Sequence, residues 1–149
     1  MSPNPNSIPT TLVSEHAISA PEADYLFVQE SRIPMAGKGL YTAITIYKDE
    51  IIAKFIGEVI DLKEAQKRKA AGKDDFFMNL HDGNTLDCMA TDCFAKYAND
   101  VAGTRLKINA FIGMDEHNQV CLIANKTIAA GSEIYCSYGK KDRKSTRLN

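Results

Sequence analysis

The chain has no apolar run near the ~18 to 20 residues that cross a bilayer, which leaves no candidate for a membrane-spanning helix and no expected membrane partner. Its first ten residues, MSPNPNSIPT, carry neither the basic start nor the apolar stretch of a secretory signal, so an intracellular location, nuclear or cytoplasmic, is expected. A charge excess is missing too: 18 basic and 19 acidic side chains leave a formal net charge of −1. Domains that neutralise phosphates carry a positive excess, so direct nucleic-acid binding is not expected. The four cysteines, Cys88, Cys93, Cys121 and Cys136, form no C-x-x-C pair and have no histidine at zinc-finger spacing. They read as buried reduced thiols with no metal, the alternative being a site built on Cys88, Cys93 and a distant partner.

What is present is enough for one domain. The chain has 149 residues, 44% of them apolar and 25% charged, the balance of a soluble globular protein. Residues 1–24 are rich in proline, serine and asparagine and read as a mobile arm. Residues 25–140 form the domain, and residues 141–149 a basic tail, disordered or non-native. Within the domain "YLFVQES", "GLYTAITI" and the β-branched run "IIAKFIGEVI" read as strands bounded by turns. "DLKEAQKRKAAGK" reads as the one convincing helix, with Asp61 as N-cap, Glu64 three residues on, and Gly72 to end it. Its apolar face is narrow, which predicts a surface helix, and Lys67, Arg68 and Lys69 read as a solvated face. "FFMNL", "HDGN" and "TLDCM" form a hairpin pattern, and three further strand patterns, "KINAFIGM", "VCLIANKTI" and "IYCSYG", close the chain. The expected class is therefore β-dominated, with one surface helix and short 3-10 turns.

Four short pieces could carry chemistry. "AGKGLYTA" holds Gly37 and Gly39, yet it lacks the third glycine of a dinucleotide fingerprint and the Lys-Ser/Thr of a P-loop. "FIGEVI" holds Gly57 and Glu58, and "AKYAND" stops a helical pattern at Asn99 and Asp100, which favour turns. "GSEIYCSYG" holds Tyr135 and Tyr138, residue types that in strands are most often core aromatics. Taken singly, each is a turn, a strand end or core.

Their shared order resembles the SET domain of protein lysine methyltransferases over about residues 25–140. The family's opening Gly-x-Gly after a proline turn is matched by Pro34 and Gly37-Lys38-Gly39-Leu40, and its Gly-Glu by Gly57-Glu58. Its Arg-Phe-x-Asn-His is met by Lys96-Tyr97-Ala98-Asn99-Asp100, and its closing motif by Gly131-Ser132-Glu133-Ile134 and Tyr138-Gly139. The resemblance implies a β-clip fold of small sheets with a knot-like C-terminal threading that brings "AKYAND" and "YCSYG" together. It implies transfer of methyl groups from S-adenosyl-L-methionine to a lysine of a protein or peptide substrate, histone or non-histone. Tyr138 is then the catalytic residue, and Lys38, Gly39, Leu40, Tyr97, Asn99 and Asp100 hold the cofactor. Phe76, Phe77 and Tyr135 line the substrate channel.

Three departures stand out: Asp100 replaces the family's histidine, Phe76 stands where a tyrosine is frequent, and no aromatic, cysteine or histidine follows Gly139. They motivate the alternative of a weak or inactive SET-like module that binds peptides.

Overall fold

Turn chemistry cuts this chain into strands too short to form one large sheet. Among the described residues, 16–80 and 82–138 of the computed structural model, ten strands pair into three small sheets. Residues 1–15, His81 and residues 139–149 lie outside the described residues, and with them most of the expected arm, the expected tail and Gly139.

A helical turn, α1 (Glu22–Tyr25), leads into β1 (Leu26–Glu30), which pairs antiparallel with β2 (Lys38–Thr42). Two later strands, β7 (Asn99–Asp100) and β10 (Glu133–Cys136), complete a sheet of order β1-β2-β10-β7. The second sheet joins β3 (Ile51–Lys54), β9 (Val120–Ala124) and β8 (Ala110–Met114) in that order. The third joins β4 (Glu58–Ile60), β6 (Thr85–Asp87) and β5 (Phe77–Asn79), with β5 and β6 forming the expected hairpin. One continuous core links Leu40 and Ile134 of the first sheet to Ile52 and Leu122 of the second, all four fully buried. The described part of the compositional arm lies against β3: Ile51 N–H donates to the His16 carbonyl (2.7 Å), and Lys54 N–H to the Glu22 carboxylate (3.0 Å).

The helix α2 (Leu62–Ala70) has the ends its sequence predicts. Asp61 Oδ1 accepts the Glu64 N–H at 2.8 Å, and Gly72 takes φ +74°, a left-handed conformation that side chains resist. Only Ala65 is buried, and Leu62 is 63% exposed, as a narrow apolar face requires.

Three expectations need correction. "IIAKFIGEVI" is not one strand but two in different sheets, because the chain crosses β6 at Gly57, where a Cβ would lie 2.4 Å from the Asp87 carbonyl oxygen. Arg68 is no member of a solvated face: its guanidinium reaches Glu64 and Asp87 at 2.8 Å and Glu58 at 3.1 Å, tying α2 to the third sheet. Asn99-Asp100 is not a turn but a short strand, held parallel to β10 through Tyr135↔Asn99 and Cys136↔Asp100. That pairing joins two segments far apart in sequence, and the candidate site is built on it.

Candidate active site

The chain enters β7 from a single 3-10 turn, Ala95–Tyr97, closed by Ala98 N–H donating to the Ala95 carbonyl (3.1 Å). The Ala98 carbonyl then becomes an anchor: the Tyr138 hydroxyl donates to it at 2.7 Å, and the Cys136 thiol lies 3.8 Å away. Asn99 Nδ2 donates to the Lys38 carbonyl (2.9 Å), bridging from β7 to the start of β2. Asp100 accepts through both oxygens, from Ala102 N–H at 2.7 Å and from Tyr138 N–H at 3.0 Å. β2 and β10 pair only at Tyr41–Glu133 and Leu40–Ile134, so Gly39 and Lys38 run beyond that ladder.

Tyr138 also lines a cavity of about 780 Å³ between α2, the β5–β6 hairpin and the second sheet. Its neighbours there include Phe77, Met78, Ile112 and Val120, with Lys69 and Asp74 as the charged groups. Of the expected channel residues, Phe77 meets Tyr138 at this cavity, whereas Phe76 and Tyr135 do not line it. Phe76 packs on the core with the Lys96 ammonium 5.1 Å from its ring centre, and the same ammonium lies 5.4 Å from the Tyr97 ring. Tyr135 turns to the other side of β10, where its hydroxyl donates to Glu133 Oε1 at 3.1 Å. Leu40 is fully buried in the middle of the sheet, and of the β2 residues it is Lys38 that meets β7, through Asn99.

Sequence reasoning missed two residues that shape this region. Glu133 is 2% exposed, and its carboxylate accepts from the Ser31 hydroxyl (2.6 Å), Arg32 N–H (2.8 Å), and the hydroxyls of Tyr135 (3.1 Å) and Tyr41 (3.3 Å). A Cβ on Gly39 would lie 2.2 Å from Glu133 Oε2, so the second glycine of "GKG" makes room for this carboxylate. Asn109 acts as an extra strand residue beside β10: its side chain accepts from Tyr135 N–H (2.8 Å) and donates to the Glu133 carbonyl (3.0 Å). Neither role has a local sequence signal, because apart from Tyr135 beside Glu133 the partners lie more than twenty residues away.

Burial raises the Tyr138 phenol well above its usual range, reinforced by Cys136 and by the Asp100 carboxylate. Tyr135 is pushed up to about 12 by burial and by Glu133, and burial likewise raises Tyr25. In the unfolded chain these phenols ionise near pH 10, while the folded protein keeps their protons beyond it. The unfolded state then binds fewer protons, so stability falls as pH rises past about 10. Urea unfolding at pH about 9 and about 10.5 is expected to show a lower midpoint at the higher pH; an unchanged midpoint would contradict the burial of these hydroxyls.

The three small sheets, the parallel β7–β10 contact and a tyrosine at the end of that contact define a SET-type fold. The SET-domain family model matches residues 37–139, more than half of the chain, and the protein belongs to that family. SET domains are generally protein lysine methyltransferases.

Among solved structures, it is similar to an autoinhibited ctPRC2 bound to S-adenosylmethionine, with a TM-score of 0.67 and 22% identity over 84% of this chain. It is also similar to a humanized mutant of the Chaetomium thermophilum Polycomb Repressive Complex 2 bound to the inhibitor GSK343, with a TM-score of 0.65 and 24% identity over 76% of this chain. This chain covers only 17% and 15% of those two chains, respectively. No curated protein matches. Among the described residues no helix is long and apolar enough to cross a membrane.

Proposed function

We propose that this domain transfers methyl groups from S-adenosyl-L-methionine to the side-chain amine of a lysine in a protein or peptide. The observation that carries this reading is the placement of Tyr138, which lines the cavity of about 780 Å³ and donates its hydroxyl to the Ala98 carbonyl beside β7. The Polycomb neighbours support a chromatin setting, a histone among the candidate substrates and a nuclear location.

The chemistry of the residues suits the donor. Lys38 and Gly39 offer backbone beyond the β2–β10 ladder, and Asn99 is tied to the first of them through its bond to the Lys38 carbonyl. When bound there, S-adenosyl-L-methionine supplies an electrophilic methyl on a positively charged sulfur.

The protein's own task is to present a neutral amine in line. A lysine with an ordinary pKa near 10.4 costs about 4 to 5 kcal/mol to hold neutral at pH 7. Phe77, Met78, Ile112 and Val120 offer apolar walls that disfavour the ammonium and lower that cost. Tyr138 stays protonated and cannot be the base, so the amine loses its proton to solvent. With its hydrogen committed to Ala98, the phenolic oxygen accepts an N–H of the amine and fixes the direction of the lone pair.

Calorimetric titration with S-adenosyl-L-methionine, followed by labelled methyl transfer onto a cell lysate, tests the reading. Binding tighter than about 1 mM and label on protein lysines are expected. Absence of donor binding at that concentration would leave a peptide-binding module without turnover.

A further inference from the structure

The position where the family carries histidine holds a carboxylate, and the hydrogen bonding around it gives that carboxylate a task. β7 and β10 run parallel, with Val101 N–H donating to the Cys136 carbonyl at 3.3 Å just past the last pair. In a continuing parallel ladder the next bond would run from Tyr138 N–H to the Val101 carbonyl. That carbonyl is already committed, because the chain turns away and it accepts Thr104 N–H at 3.0 Å and the Thr104 hydroxyl at 2.7 Å. A carbonyl has two lone pairs, and both are used.

Asp100 supplies the missing acceptor: Oδ2 takes Tyr138 N–H at 3.0 Å, while Oδ1 is fixed by Ala102 N–H at 2.7 Å. We infer that Asp100 is a positioning residue for Tyr138, extending the β7–β10 ladder by one side-chain bond so that Tyr138 is held at both ends. Its backbone end is tied to Asp100 and its hydroxyl end to Ala98, two residues apart on one segment. The inference deepens the proposed function and rests on it only for the catalytic consequence.

Two variants and two readouts test it. In Asp100→Ala the Tyr138 amide loses its acceptor, so its hydrogen exchange rises on the order of tenfold to a hundredfold, the equivalent of one charge-assisted bond. Exchange at Tyr135 N–H, which donates to Asn109 Oδ1, stays unchanged and marks the strand as intact. In methyl transfer the same variant lowers kcat by a similar factor while KM for S-adenosyl-L-methionine moves less than about threefold. Asp100→Asn offers a single acceptor oxygen to the two N–H donors of Ala102 and Tyr138, so it recovers the protection and kcat only in part, between alanine and wild type, and serves if the alanine variant does not fold.

Tyr138 exchange unaltered in both variants would overturn the inference. So would a rise in KM with kcat preserved, which would make the carboxylate a donor ligand instead. Exchange is read on the free protein, so it stands even if the wild-type protein transfers no methyl group.

Discussion

Tyr138→Phe is expected to lower methyl transfer on the order of a hundredfold or more at saturating donor and substrate, the scale for losing one preorganised polar group at a reacting centre. The physical reason is that the phenol does two things at one atom. Its hydrogen is spent on the Ala98 carbonyl at 2.7 Å, which fixes the oxygen, and in the proposed reaction the oxygen's lone pairs are what remains to accept from the amine. Phenylalanine keeps the ring in the cavity and loses the acceptor. Stability should change by only about 1 kcal/mol, since a single neutral hydrogen bond is removed and the Cys136 thiol remains beside the same carbonyl. The fall should appear in kcat with donor affinity preserved, as measured by single-turnover transfer and calorimetry. A phenylalanine variant that turns over at the wild-type rate would remove Tyr138 from the chemistry.

Glu133→Ala should have the largest effect on stability. The carboxylate is 2% exposed and accepts from Ser31, Arg32, Tyr41 and Tyr135, joining the loop after β1 to β2 and β10. Removing it takes the acceptor from the Ser31 hydroxyl, the Arg32 N–H and the Tyr135 hydroxyl, while Tyr41 keeps the Glu30 carbonyl at 2.8 Å, a loss of about 3 to 5 kcal/mol at roughly 1 to 3 for each unsatisfied donor. For a domain whose total stability is of the order of 5 to 15 kcal/mol, that is a large share. Gly39→Ala should also destabilise, because its Cβ would meet Glu133 Oε2 at 2.2 Å. The two changes are predicted to be non-additive: once the carboxylate is gone, the added methyl group costs much less. Urea unfolding of both single variants and the double variant measures the coupling. Simple additivity would show that Gly39 is required for a reason other than Glu133.

Much of the fold was legible because the signals for it are local. Asp61 and Gly72 mark the ends of α2 through bonds and dihedrals spanning one helical turn, and a glycine-containing turn joins β5 to β6. Splitting of "IIAKFIGEVI" was not legible, since Gly57 is demanded by the Asp87 carbonyl, which belongs to another strand. Arg68 was misread for a similar reason: a basic run on a surface helix carries no mark of the three carboxylates that the third sheet and α2 bring to it. At the site, the order of four motifs singled out Tyr138 and the Asn99-Asp100 segment as expectations. It could not say which face of β10 each tyrosine takes. In a strand alternate residues share a face, so Tyr135 goes with Glu133, while Tyr138 lies past the strand's last residue and reaches Ala98.

By itself the sequence determined the class, the caps, the hairpin and the family, because composition, turn chemistry and motif order are properties of neighbouring residues. Only the tertiary structure decided what the carboxylates do. Glu133 and Asp100 are ordinary acidic residues until the parallel pairing of β7 with β10, and the antiparallel pairing of β10 with β2, place distant donors around them. A buried or committed carboxylate is defined by who surrounds it, and those partners are assembled only when the chain closes on itself.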